Sequence, residues 1–294
     1  MCRPATLLTG DAMRLISAMP DNSIDLIFSS PPYCMGKEYE SSSDVLDFIA
    51  QHKLLLPQLV RILKPGGSLC WQTGNHVKNG VVTPLDSLIF SILFTDERVQ
   101  LRNRVVWTVG HGLHCANRFS GRHETILWYT KGNNYDFDLD AIRVPQKYPG
   151  KRYAKGPRKG EYSGNPLGKN PGDVWEIPNV KANHIEKTVH PCQFPVALPQ
   201  TFIRALTKKG DLVMDPFMGS GSAGVAALLE GRRFLGSDID ADYSAIAEER
   251  LKAAIEGKAK VRAWDKTLVE PNPNDKVATR PDHFLAKKDS LGMY

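Results

Sequence analysis

A chain of 294 residues, 41% of them hydrophobic, can bury one large core or a core with a smaller attached domain, which excludes disorder throughout. Polar or charged residues break every apolar run before the roughly 18 residues needed to cross a bilayer. Met1-Cys2-Arg3-Pro4 leads straight into a strand-like segment without the apolar core of a secretory signal, so no membrane partner and a cytoplasmic location are expected. The net charge of +6 is uneven: ten Lys or Arg stand against four acids between Arg143 and Lys187, which is the whole excess and marks one segment as a surface for a polyanion.

In chain order, Ile24 to Phe28 reads as a buried strand that stops at Ser29-Ser30-Pro31-Pro32, where two prolines cannot continue a ladder. Helix-spaced apolar residues run from Val45 to Leu63, with Pro57 expected to kink or divide the helix and Lys64-Pro65-Gly66-Gly67 to end it. Ser68 to Thr73 is the next strand, Leu85 to Phe94 a second helix, and Arg104 to Val109 and Glu124 to Thr130 further strands rich in β-branched and aromatic residues. From Arg143 to about Lys181 the periodicity vanishes into recurring Gly and Pro among Lys, Arg and Tyr, which predicts a loop-rich insertion. Regularity then returns with a helix over Pro195 to Leu206, a strand at Leu212 to Met214, a helix over Ala223 to Leu229, a strand near Phe234 and a helix to about Ile255. Alternating strands and helices predict an α/β fold with a parallel sheet. Beyond about Lys258 the residues are polar and a loosely ordered tail is expected. The organisation is therefore 1–142 as one half of the main domain, 143–187 as the basic insertion, 188–257 as the other half and 258–294 as the tail.

The cysteines Cys2, Cys34, Cys70, Cys115 and Cys192 form no CxxC pair and have no partner at metal-ligand spacing, so reduced thiols and no metal site are expected. Cys192 near His190 reads as packing.

Asp215-Pro216-Phe217-Met218-Gly219-Ser220-Gly221-Ser222 lies between an apolar strand and a helix, the context in which a glycine-rich turn has chemical meaning. Gly219 and Gly221 would let a ligand approach the backbone closely, and exposed N–H groups at the helix start could receive a carboxylate. Asp238 follows 23 positions later, just after the next strand, where an acid can accept hydrogen bonds from ribose hydroxyls. Asp215-Pro-Phe-x-Gly-Ser-Gly, with Gly236-Ser-Asp238-Ile-Asp-x-x-Tyr243 after it, resembles the S-adenosylmethionine-binding motifs of the amino-directed DNA methyltransferases. That resemblance implies a cofactor site built from Asp215, Phe217, Gly219, Ser220, Gly221 and Asp238, with Asp11 near the adenine.

Ser30-Pro31-Pro32-Tyr33 is similar to the catalytic tetrapeptide of the same family, whose first position is Asp, Asn or Ser. The chemistry accounts for the residue types. An exocyclic base amine is a poor nucleophile because its lone pair is delocalised into the ring, and acceptors on its N–H groups favour the pyramidal nitrogen that can attack a methyl carbon. The Ser30 hydroxyl and a backbone carbonyl, assigned to Pro31, would be those acceptors, with Pro32 helping to fix the carbonyl's direction. Tyr33 would stack on a base extruded from the duplex. In this family Ser at the first position goes mostly with cytosine N4 and Asp mostly with adenine N6.

The catalytic tetrapeptide precedes the cofactor turn with the basic segment between them, an order that resembles the beta class. This implies a circularly permuted, doubly wound Rossmann-like fold with a target-recognition insertion. Arg143, Lys147, Lys151, Arg152, Lys155, Arg158 and Lys159, interleaved with Tyr148 and Tyr153, would neutralise phosphates of double-stranded DNA; a solvated basic loop is the other reading of them. Leu63-Lys-Pro-Gly-Gly67, Arg122-His-Glu124, Asp173-Val-Trp175 and His190-Pro-x-Gln-x-Pro195 also resemble family stretches, although many relatives have Lys where this chain has Phe194. A companion restriction endonuclease and a homodimer are common among such enzymes and extend to this chain only by analogy. The alternatives are an adenine-N6 enzyme, an RNA methyltransferase of the same fold, and a DNA-binding subunit without catalysis.

Overall fold

Chain entry runs through β1 (Ala5–Thr9) into a short helix, α1 (Ala12–Ala18), whose first turn is capped by Asp11 accepting a hydrogen bond from the Arg14 N–H. This is a computed structural model, and it describes residues 4–32, 44–110, 114–148, 150–181 and 183–264. β2 (Ile24–Ser29) is buried along nearly its whole length, as its continuous apolar run requires of a central strand. Next comes α2 (Val45–Ile62), which passes through Pro57 as one helix, against the expected division. The carbonyl that Pro57 leaves without its helical partner belongs to exposed Lys53, while Leu55, Leu56, Leu59 and Val60 on the opposite face are buried and hold both halves in line.

β3 (Leu63–Thr73) begins directly after α2, so Lys64 to Gly67 form the irregular start of a strand, where the pairing with β2 shifts register, in place of a separate turn. β4 (Asn75–Lys78) and β5 (Val81–Pro84) make a hairpin absent from the sequence reading, although Asn79-Gly80, both at positive φ, is the strongest short turn signal for one. α3 (Leu85–Leu93), β6 (Val99–Thr108) and β7 (His123–Lys131) follow, and then β8 (Val174–Glu176). The chain closes with α4 (Ala197–Leu206), β9 (Leu212–Asp215), α5 (Ser222–Leu229), β10 (Arg233–Asp238) and α6 (Ala241–Ile255).

Eight of these strands form one sheet in the order β1-β10-β9-β2-β3-β7-β6-β8. The sheet is mixed, not wholly parallel as expected, because β7 runs antiparallel to both β3 and β6. One face buries α1, α2 and α3 against Ile27, Leu69, Trp71 and Met214, and the other buries α4, α5 and α6 against Phe28, Cys70, Val213 and Phe234. Three layers with the sheet in the middle result. Strand order reverses between β2 and β9: β9 continues through α5 to β10 on one side, and β2 through α2 to β3 on the other. In doubly wound sheets such a reversal leaves a crevice beyond the strand ends.

Two boundaries move. β8 was expected inside the insertion but pairs in parallel with β6, and Trp175 is buried in the core beside Phe202. Residues 258–264, expected in the loose tail, are packed: Trp264 lies 5.1 Å from the Trp175 ring and donates its indole N–H to the Glu176 carbonyl at 3.1 Å. Residues 265–294 lie outside the described residues.

Candidate active site

β2 and β9 are hydrogen-bonded neighbours in parallel, with Leu26 opposite Val213 and Ile27 opposite Met214. The Ser30 turn and the Asp215 turn therefore leave the same edge of the sheet side by side. Directly behind them, the Ser29 hydroxyl donates to Asp215 Oδ1 at 2.6 Å across 186 residues of sequence. The same oxygen accepts the Phe217 N–H at 3.1 Å. Asp215 is fully buried, and burial pushes its carboxyl up to about 7 against the opposing pull of the Ser29 and Phe217 donors. Its Oδ2 has no hydrogen-bond partner among the described residues. Ser30 is half-buried, Pro31 buried and Pro32 exposed; Tyr33 lies outside the described residues.

The turn after β9 is tied to the end of β10 by two hydrogen bonds. The Met218 N–H donates to the Ser237 carbonyl at 2.9 Å, and the Gly219 N–H to Asp238 Oδ2 at 2.8 Å. Asp238 Oδ1 takes the Asp240 N–H at 2.9 Å, so each carboxylate oxygen retains capacity for a further donor. Burial raises the Asp238 pKa, and these two N–H bonds oppose the shift. Gly219 and Gly221 have φ of +48° and +77°, the left-handed region that excludes most side chains. Their neighbours, however, are protein: a Cβ on Gly219 would stand 2.8 Å from His190 Nε2, and one on Gly221 2.9 Å from the Ala247 Cβ. Close packing of the loop against His190 and α6 is thus the constraint on these glycines, where the sequence pointed to ligand approach. Phe217 is half-buried with its ring 6.2 Å from Trp71. Asp11 sits exposed just after β1, next to Gly10, whose N–H donates to the Asp238 carbonyl at 2.8 Å.

Ser220 shows a partner that sequence reading missed. Arg250 of α6 donates through Nη1 to the Ser220 carbonyl at 2.6 Å and to the Ser220 and Ser222 hydroxyls at 3.0 and 3.2 Å. Its other amino group lies 4.0 Å from Glu186, a carboxylate with no exposed side-chain surface. Glu186 in turn accepts the Val196 N–H at 2.8 Å and the Arg262 N–H at 2.9 Å, joining the start of α4 to the packed end of the described chain. Burial raises the Glu186 pKa and lowers that of Arg250. The signal for Arg250 was its place three residues after buried Ala247 and one before buried Leu251, on the inward stripe of α6. His190 packs between Gly219 and Tyr243, whose ring is 4.4 Å away, and burial lowers its pKa to about 4, so it is neutral at physiological pH. Phe194, where many relatives have Lys, packs on Phe28 at 5.6 Å.

The basic segment is built as nested antiparallel contacts, with bridges Val144–Lys169 and Arg152–Tyr162. Arg143 is turned inward, paired with Asp140 at 2.6 Å and donating to the Gly168 carbonyl at 3.1 Å, so it serves the base of the loop. Arg152 stacks over Tyr162 at 4.0 Å and Arg158 over Tyr153 at 4.9 Å while pairing with Glu161. Lys147 stands over its neighbour Tyr148 at 5.6 Å, and Lys147, Lys151, Lys155 and Lys159 are all exposed.

The family described as DNA methylase matches residues 24–249, which include both turns and the sheet between them. The chain belongs to this DNA methylase family. Its reaction is S-adenosylmethionine-dependent methylation of an exocyclic amino group in DNA, at cytosine N4 or adenine N6. Among relatives, Type II methyltransferase M.BglII of Bacillus subtilis is 44% identical over 246 residues, covering 83% of this chain and 68% of that one. DNA adenine methyltransferase YhdJ of Escherichia coli (strain K12) is 31% identical over 258 residues, 85% of this chain and 83% of that one. In fold the methylase matches PvuII DNA methyltransferase (cytosine-N4-specific) with a TM-score of 0.68 at 20% identity, over 90% of this chain and 95% of the other. The M1.HpyAVI–SAM complex matches with a TM-score of 0.57 at 20% identity, over 84% and 98%. The fold is thus the circularly permuted Rossmann-like one of the beta class. No helix among the described residues is long and apolar enough to cross a membrane.

The residues present fit the cofactor. Its ammonium and ribose hydroxyls need acceptors, for which the unpartnered, buried Asp215 oxygen and the Asp238 carboxylate are candidates; its carboxylate needs donors, for which the first-turn N–H groups of α5 are candidates. Arg250→Lys keeps the charge beside Glu186 but loses the fork on the Ser220 carbonyl and hydroxyl. Its expected effect is about a tenfold weaker affinity for S-adenosylmethionine in calorimetry, with kcat at saturating cofactor changed less than about twofold. An unaltered affinity would remove Arg250 from the cofactor turn's support.

Proposed function

We propose that this methylase transfers the methyl group to N4 of a cytosine extruded from duplex DNA. The observation that carries the reading is Ser30, in place of Asp, heading a turn that leaves the sheet beside the Asp215 strand. One relative is named an adenine methyltransferase, so adenine N6 is the competing outcome.

In this reading the Ser30 hydroxyl and the Pro31 carbonyl accept the two amine N–H groups, leaving the nitrogen lone pair directed away from the ring. Buried Pro31 and the Pro32 that follows hold that carbonyl rigidly, and Tyr33, outside the described residues, would stack on the extruded base. S-adenosylmethionine, when bound, supplies the electrophilic methyl. Asp215, Asp238, Phe217 and the N–H groups after Gly221 would hold it, with Asp11 on the adenine side. Rate enhancement then comes mainly from alignment. Exposed Lys147, Lys151, Lys155 and Lys159 would lie along the phosphates, with the Arg152–Tyr162 and Arg158–Tyr153 stacks giving the loop a stiff spine. The names of relatives such as M.BglII and M.ScaI favour a restriction endonuclease acting at the same site as a companion.

Mass spectrometry of nucleosides from DNA methylated by the purified enzyme is expected to show N4-methylcytosine; N6-methyladenine alone would overturn the choice of base. Ser30→Ala is expected to keep cofactor affinity and lose about 2 to 4 kcal/mol of transition-state stabilisation, a fall in kcat of roughly 30- to 1,000-fold. Unchanged turnover would take the tetrapeptide out of the chemistry. Neutralising Lys151, Lys155 and Lys159 together should reduce the slope of log affinity against log salt by roughly 2 to 3. A slope equal to that of the unaltered enzyme would place the DNA elsewhere.

A further inference from the structure

The connection between β6 and β7 opens at the same sheet edge as the catalytic turn. β2 is bonded to β3 and β3 to β7, with Ser29 opposite Trp71 and Trp71 opposite Leu127, so the start of β7 at His123 lies two strand spacings, roughly 10 Å, sideways from the end of β2 and four residues, roughly 13 Å, further out along the strand direction. The Val109 N–H donates to the Arg122 carbonyl at 2.9 Å, closing the loop at its base. Further out, the Cys115 N–H donates to the Ser120 hydroxyl at 3.1 Å, drawing residues 115–120 into a turn. Phe119 stands at the end of that turn with 98% of its surface exposed, the most exposed large apolar side chain among the described residues. Arg118 and Arg122 flank it, and their Nη1 groups reach the carbonyls of Phe119 and Gly121 at 3.2 and 3.5 Å.

A phenyl ring held in water costs hydrophobic free energy and contributes no packing to this fold. Beside an active site on DNA, a ring between two cations has an evident occupant. Extruding a base leaves a slot in the stack bounded by flat apolar faces above and below and by phosphates at the sides. A flat side chain with a short reach fills the slot, and flanking guanidiniums match the phosphates.

We propose that Phe119 is a wedge that enters the duplex and takes the place left by the target base, with Arg118 and Arg122 on the neighbouring phosphates. This rests on the reading that the target base leaves the helix. The wedge acts on the DNA and not on the cofactor, so its loss slows extrusion while leaving methyl transfer to an already unpaired base intact.

The test uses the full-length enzyme and duplexes carrying the sequence found by mapping methylated bases, one with a fully paired target and one with the target opposite a mismatch. Phe119→Ala is expected to lower the single-turnover methylation rate at least tenfold on the paired duplex and less than twofold on the mismatched one. Phe119→Trp should recover the paired rate to within threefold. Equal losses on both duplexes, or no loss on the paired one, would overturn the wedge. A fluorescent 2-aminopurine beside the target separates the two layers of the argument. No fluorescence rise with the unaltered enzyme contradicts extrusion itself, whereas a rise that Phe119→Ala retains in full contradicts only the role of Phe119.

Discussion

The parallel pairing of β2 with β9 is the constraint on which the site depends, because it joins the two stretches of chain to which the proposed function gives different halves of the chemistry. Each strand ends in a turn that cannot continue the ladder, one by its prolines and the other by left-handed glycines. The reversal of strand order at this pair opens a crevice between them. The Ser29–Asp215 hydrogen bond then fixes how far apart the turns sit. Alternation along β2 makes this possible: Ser29 of the Ser29-Ser30 pair faces the protein and Ser30 begins the turn that, in the proposed reading, meets the base. Two adjacent and chemically identical side chains thus have separate tasks set by the pleat.

Behind the cofactor turn lies a second layer that makes distant parts of the chain depend on each other. Glu186 receives N–H groups from Val196 and Arg262 and faces Arg250, which grips Ser220. A carboxylate so buried is stable only because those donors replace water, and removing any one would leave charge without compensation. Segments before α4, within α6 and after it are therefore assembled around one acidic group. This also explains why residues 258–264 pack: their backbone completes the Glu186 cage, and Trp264 covers Trp175. The permuted connectivity does not disturb this arrangement, since strands and helices occupy their places regardless of the order in which the chain visits them.

What could be read from the sequence was whatever is encoded locally. Pro31-Pro32 and Gly219-Ser220-Gly221 announce their turns because backbone geometry there depends on the residue itself, and the Asn79-Gly80 hairpin was equally legible, although no strand pair was drawn from it. Helix α2 overrode Pro57 because burial of Leu55, Leu56 and Leu59 outweighs one lost hydrogen bond to the carbonyl of an exposed residue, Lys53. Tertiary partnerships left weaker traces. Nothing local distinguishes Arg143, which braces its loop through Asp140 and Gly168, from the exposed Lys151 eight residues on. Ser29 was hidden by its neighbour, since a tetrapeptide that begins at Ser30 draws the eye one residue too late. The antiparallel β7 escaped notice because a connection between β6 and β7 of this length is compatible with either direction.

The claim that the catalytic and cofactor turns are mechanically joined through Ser29 and Asp215 is tested most directly by a double-mutant cycle. kcat/KM for S-adenosylmethionine is measured for Ser29→Ala, Asp215→Asn and the pair. If the hydrogen bond joins the turns, the pair loses about 1 to 2 kcal/mol less than the sum of the two single losses. Losses that simply add would show that the two side chains act independently and would contradict the account.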